Sequence, residues 1–135
     1  MANSWYNEGL EYYLEGGAGF SADGALKVAL MDGTFTVSAG ATGWASLVAK
    51  QVGSSVVLGT KSSTGGQMTG GDVTFAGIGA GLTIGGVVLY HETGVGTGTL
   101  IAGWDVGTGL PLTTTGANII VHWSGTTPTG VMGQL

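Results

Sequence analysis

"LTIGGVVLYHET", residues 82–93, is a long β-branched run interrupted only by Gly85-Gly86. Val, Ile, Thr and Tyr suit a pleated, half-buried surface, so the run reads as a strand. Two glycines inside a strand mark a bulge or a close approach of another backbone. Upstream, "ALKVALMD" (25–32) alternates with period two, placing Leu26, Val28 and Leu30 on one face and Lys27, Ala29 and Met31 on the other. "SVVLGT" (55–60), the end of "TGGQMTGGDVTFAG" (64–77) with Val73 and Phe75 on one face, "TLIAGWDV" (99–106) and "ANIIVHWS" (117–124) supply further strands. Turn residues separate these runs roughly every 8–12 residues, the spacing of an antiparallel sandwich or barrel.

One stretch departs from this pattern. In "MANSWYNEGLEYYLEGG" (1–17), Tyr6, Leu10, Tyr13 and Leu14 fall on a single helical stripe. Asn3 or Ser4 can cap the helix, Glu8, Glu11 and Glu15 share its polar side, and Gly16-Gly17 offers a left-handed stop. Trp5 and Tyr12 lie off the stripe and need a second surface to cover them. A short second helix is expected in "GATGWASLVAKQVG" (40–53), where Trp44, Leu47, Val48 and Val52 recur at helical spacing. The expectation is a mainly β, antiparallel sandwich or barrel-like domain with one N-terminal α-helix over 4–15. Residues 1–135 form a single domain, with 1–17 as helix and cap and 25–135 as the β-domain.

Composition narrows the function classes. The chain has 135 residues, 29 glycines, no cysteine, no arginine and a net charge of −5. With 43% hydrophobic residues it can bury a core. Three lysines cannot neutralise a run of phosphates, which argues against nucleic acid and against an anionic membrane surface. No apolar run reaches the roughly 20 residues of a membrane span, and the start lacks the basic region of a secretory signal. Only 8% of residues are charged, against about 25–35% on an ordinary soluble surface. Such a surface suits a protein assembled against neighbours.

No catalytic constellation emerges. "GIGAG" (77–81) and "GVGTG" (94–98) precede no helical pattern and no Gly-Lys-Ser/Thr, so they read as turns rather than phosphate loops. His91, His122 and Asp105 or Glu92 could together hold a metal, but on strands they read as outward members of the alternation. No serine sits in a nucleophile elbow, and the helix glutamates read as a solvated face. Trp104 and Trp123, with Tyr90, could line a carbohydrate platform, yet their apolar strands favour core or subunit interface. The loop after Trp104, with Pro111 fixing one backbone angle, reads as a connector whose tip touches a neighbour. No catalytic residue, cofactor or metal site is expected.

The order of several stretches resembles a family of small virion structural proteins of tailed bacteriophages. These are "MANSWYNEGLEYYLEGG" (1–17), "GALKVALMD" (24–32), "GDVTFAGI" (71–78), "VVLYHETG" (87–94), "LIAGWDV" (100–106), "LPLTTTG" (110–116) and "IIVHW" (119–123). Two departures stand out: Thr114 replaces a turn proline, and "FTVSAGATGW" (35–44) replaces a tyrosine-histidine motif. The resemblance implies a capsid decoration (cement) protein stabilising the head shell, made in the host cytoplasm and located on the virion. Its partners would be the major capsid protein or other virion proteins, and it would form a homo-oligomer, with a trimer favoured. The alternative is a tail or baseplate component with receptor or carbohydrate contact. Trp5, Tyr12, Trp44, Trp104 and Pro111 are the candidate subunit or shell interface.

Overall fold

The computed structural model describes residues 4–16, 23–64, 67–105, 110–122 and 131–134. The chain begins with a two-residue strand, β1 (Ser4–Trp5), and helix α1 (Asn7–Leu14), followed by β2 (Leu26–Asp32). Two 3-10 turns, Trp44–Ser46 and Val48–Lys50, lead into β3 (Gln51–Val57). The short strands β4 (Ser62–Thr64), β5 (Gln67–Thr69) and β6 (Val73–Phe75) precede the long hairpin of β7 (Thr83–Gly94) and β8 (Thr97–Trp104). β9 (Leu112–Thr113), β10 (Ile119–Val121) and β11 (Val131–Gln134) complete the order.

All pairings among the described residues are antiparallel. The main sheet runs β1-β8-β7-β2-β3, with β9 also on β7. β6 and β10 form a ribbon, and β4, β5 and β11 a three-stranded sheet. The mainly β, antiparallel expectation with one helix near the N-terminus holds.

The alternation in β2 sorts its residues into two cores, because both faces of this central strand are covered. Leu26, Val28 and Leu30 join Val87, Leu89 and Ile101 in the first, closed by Val73, Phe75 and Ile78. Ile119 and Val121 of the ribbon pack against it. Ala29 and Met31 join Val88, Tyr90 and Leu100 in the second, which Tyr6, Phe35, Val37 and Trp44 cover from the opposite side. Gly85 is the extra residue of a bulge: Met31 pairs with Gly86 and Asp32 with Ile84. A Cβ on Gly85 would lie 2.6 Å from the Asp32 carbonyl oxygen, and one on Gly86 2.7 Å from that of Trp104. Both readings of the glycine pair are met.

Three expectations are corrected. The helix begins at Asn7, because Ser4 and Trp5 pair with Gly103 and Ala102 as a strand, and Tyr6 takes the N-cap position without a side-chain cap bond. Its stripe is incomplete: Tyr6 is buried, but Leu14 is 80% exposed. The expected helix at 40–53 is two 3-10 turns that lead directly into a strand. Val56 and Val57 therefore belong to β3, which starts at Gln51 rather than Ser55.

Both edges of the main sheet are guarded. Beside β8, the Tyr6 amide donates to the Ile101 carbonyl (2.9 Å) and the Leu100 amide donates to Glu8 Oε1 (2.6 Å), so α1 stands in for a neighbouring strand. At the other edge, β3 sets Gly53, Ser54 and Ser55 against Ala29 alone, between the pairs Val28–Val56 and Leu30–Val52. A bulge of that size interrupts the regular row of groups that another strand would need.

Candidate interaction surface

Trp5 stands opposite Ala102, and Trp104 lies two residues further along β8 on the same face. Side chains in that diagonal relation start about 7–8 Å apart. Both indoles are half-buried and pack on the first core, as do Leu110 and Leu112. β9 continues along the edge of β7 that β8 leaves: Val87 pairs with Trp104, and Ile84 with Leu112. Pro111 is exposed between the two leucines, after a cis peptide bond. One corner of the sheet thus carries Trp5, Trp104, Leu110, Pro111 and Leu112, with Leu82, 45% exposed, on the adjoining turn.

Thr114 holds this corner in place. It is 4% exposed. Its hydroxyl donates to the Gly79 carbonyl (2.5 Å) and accepts from the Leu82 amide (2.9 Å). Its own amide donates to the Leu82 carbonyl (2.7 Å), and its carbonyl accepts from Gly81 (2.8 Å). A proline here would lack both the amide and the hydroxyl, so threonine at this turn does work that proline cannot.

Tyr12 lies at the other end of α1. Its ring is 4.9 Å from the His91 imidazole and 5.1 Å from Tyr13. His91 Nδ1 is 2.7 Å from Asp23 Oδ2, an oxygen that also accepts from the Tyr13 hydroxyl (3.4 Å). Asp23 Oδ1 accepts from the Ala25 amide. Burial, with Asp23 adding to it, pushes the Tyr13 phenol well above its ordinary range.

Trp44 is the candidate that the fold withdraws. It is 2% exposed and stacks on Tyr90 at 4.2 Å and 7°. The positive φ of Gly43 (76°) precedes a tight turn that holds the indole over the second core, out of a partner's reach. The Tyr90 hydroxyl is held in turn by Ser55 Oγ at 2.7 Å. Trp123 lies outside the described residues.

The carboxylates proved more structural than the sequence implied. Glu8 is half-buried, not solvated, and its Oε1 accepts from both Leu100 and Gly43 amides (2.6 and 2.7 Å). Asp105 Oδ2 accepts from the Val37 amide across 68 residues (2.8 Å). The available signal was their rarity: a charge in a nearly chargeless chain, adjoining an apolar run, is a candidate for burial with partners. His122 pairs with Asp72 on the surface and Lys27 with Glu92, so the acids and histidines form local pairs. Among the described residues, no three His, Cys, Asp or Glu side chains gather as a metal site.

Comparison with known protein families, characterised proteins and solved structures gives no match.

Proposed function

We propose that this protein is a structural component of a bacteriophage particle, a decoration (cement) protein of the head shell that acts by burying apolar surface against its neighbours. The observation that carries the reading is the corner formed by Trp5, Trp104, Leu110, Pro111 and Leu112, two large aromatics beside aliphatic side chains on a nearly chargeless surface. Partly buried tryptophans on a rigid sheet suit an interface, because such hot spots are rich in Trp and lose little side-chain freedom on docking. The order of motifs along the chain supports a virion role. The guarded sheet edges favour contact through side chains, between copies in a symmetric oligomer and with the major capsid protein.

Electron cryo-microscopy of the intact particle tests this. The proposal expects ordered copies over the head lattice, with the Trp5–Trp104 corner turned toward the shell or a sister copy. Density confined to the tail or baseplate would replace it with the tail reading. Absence from purified particles would end it.

A further inference from the structure

We propose that residues 33–43 form an acid-labile cover, pinned by three carboxylates from three elements, whose protonation uncovers the aromatic half of the core while the main sheet stays folded.

The segment reads Gly-Thr-Phe-Thr-Val-Ser-Ala-Gly-Ala-Thr-Gly and holds no ionisable side chain, so every charge acting on it comes from elsewhere. At its start, Asp32 of β2 accepts from the Thr34 amide (2.8 Å) and hydroxyl (2.6 Å). In its middle, Asp105 after β8 accepts from the Val37 amide. At its end, Glu8 of α1 accepts from the Gly43 amide. The other hydrogen bonds that tie the segment to the rest of the fold use neutral acceptors. They are the Phe35 amide to the Asp32 carbonyl, the Asn7 amide to the Ala39 carbonyl, Lys50 Nζ to the Thr34 carbonyl, and the Ser46 amide and hydroxyl to the Gly43 carbonyl. Hydrogen bonds from amides to ionised carboxylates are about twice as strong as neutral ones, and protonation removes that advantage.

The cover contributes its own buried Phe35 and Val37, and Trp44 follows directly after Gly43. They close the second core over Met31, Val88, Tyr90 and Leu100. The first core is built on the opposite face, and none of the three carboxylates is a member of it. Partial opening is therefore geometrically separate from global unfolding.

The surrounding charges are few. Lys50 faces Asp32, and the Thr34 hydrogen bond, followed by Lys50, holds the Asp32 carboxyl below its ordinary range. The sign follows: this pin stabilises the closed form at neutral pH and is lost as pH falls through that lowered range. Asp105 faces the Tyr6 phenol, which stays neutral. Glu8 faces β8 and the cover, neither of which carries an ionisable side chain.

Amide hydrogen exchange followed by nuclear magnetic resonance tests the proposal. Between about pH 7 and about pH 3.5, protection at Val37 and Gly43 should fall about tenfold or more while Ala29 and Val88 stay protected. Fluorescence of the Trp44–Tyr90 stack should change over the same range. The double variant Glu8→Gln, Asp105→Asn keeps an acceptor oxygen at each pin but cannot titrate there. With no charge at either pin at any pH, its cover should already be about tenfold less protected than the wild type's at about pH 7, and should lose little more on acidification. Loss of protection by cover and sheet in one step overturns the proposal, as does a variant whose cover is as protected as the wild type's at about pH 7. If the variant does not fold, the wild type decides. The Glu8 and Asp105 carboxyl carbon shifts must then titrate together with the Gly43 and Val37 amide protons, and separate midpoints overturn the assignment.

Discussion

Tyr6 joins the helix to the sheet, and its two ends behave differently. Its ring is fully buried in the second core, and its amide continues the edge of β8. Its hydroxyl is buried and makes no hydrogen bond among the described residues. Removing a buried, unsatisfied hydroxyl costs nothing in hydrogen bonding and relieves desolvation, so Tyr6→Phe should leave stability within about 0.5 kcal/mol or raise it. Urea unfolding at neutral pH checks this. Burial first, and Asp105 second, push the Tyr6 phenol up to about 12. The folded chain thus keeps a proton that the unfolded chain releases near 10.0, and stability should decline as pH rises above that value. In Tyr6→Phe that part of the alkaline loss disappears, leaving the share from Tyr13, whose phenol is raised by burial and Asp23. An equally steep alkaline loss in the variant would show that Tyr6 keeps an ordinary phenol.

Helix α1 docks through an absence of side chain. Gly9 is its only fully buried residue, and a Cβ there would lie 2.5 Å from the Leu100 carbonyl oxygen and 2.6 Å from Ile101 Cα. The close approach falls where β8 bulges, since Leu89 pairs with Ala102 and Tyr90 with Leu100, leaving Ile101 over. On an exposed helix Gly→Ala stabilises by roughly 1 kcal/mol, but here the helix must lift, and Gly9→Ala should destabilise by about 1–3 kcal/mol. The same shift would weaken the Glu8 bonds to Leu100 and Gly43, so hydrogen exchange at those amides should accelerate with the loss of stability. The helix was legible from its period, but its contact was not. A hydrophobic stripe puts Leu14 inward and Gly9 nowhere, whereas the backbone of a bulged strand selects the residue with no side chain. Strand content was legible because β-branched alternation is local, and Gly85-Gly86 announced its bulge. The 3-10 turns at Trp44 were not, since helical spacing over one turn fits either geometry and Tyr90, distant in sequence, decides where the indole goes. Glu8, Asp105 and Thr114 escaped for the same reason: their partners are backbone amides and carbonyls, which leave no mark on side-chain patterning.

At the scale of the molecule, the three described tryptophans are not equivalent, and this separates folding from attachment. Trp44 lies inside a core, so Trp44→Ala should cost about 3–5 kcal/mol in unfolding free energy by the transfer and cavity terms of a large-to-small change. Trp5 and Trp104 are half-buried at one corner, where truncation removes less core and more surface. If that corner docks, Trp5→Ala and Trp104→Ala should each weaken attachment to heads lacking the protein by about 2 kcal/mol or more, the scale of an interface hot spot. Repetition over a lattice amplifies so modest a contact, so occupancy at limiting protein should drop sharply rather than by a small fraction. With two of its three lysines beside acids of the same chain, as Lys27 is beside Glu92 and Lys50 beside Asp32, steering by charge contributes little. Wild-type occupancy should therefore persist in about 1 M salt, where screening reaches about 3 Å. Binding measured at low and high salt, alongside thermal unfolding of each variant, distinguishes the outcomes. Full occupancy by a folded Trp5→Ala, Trp104→Ala double variant would remove this corner as the docking surface, and release of the wild type by salt alone would mean that charge, not apolar burial, holds it.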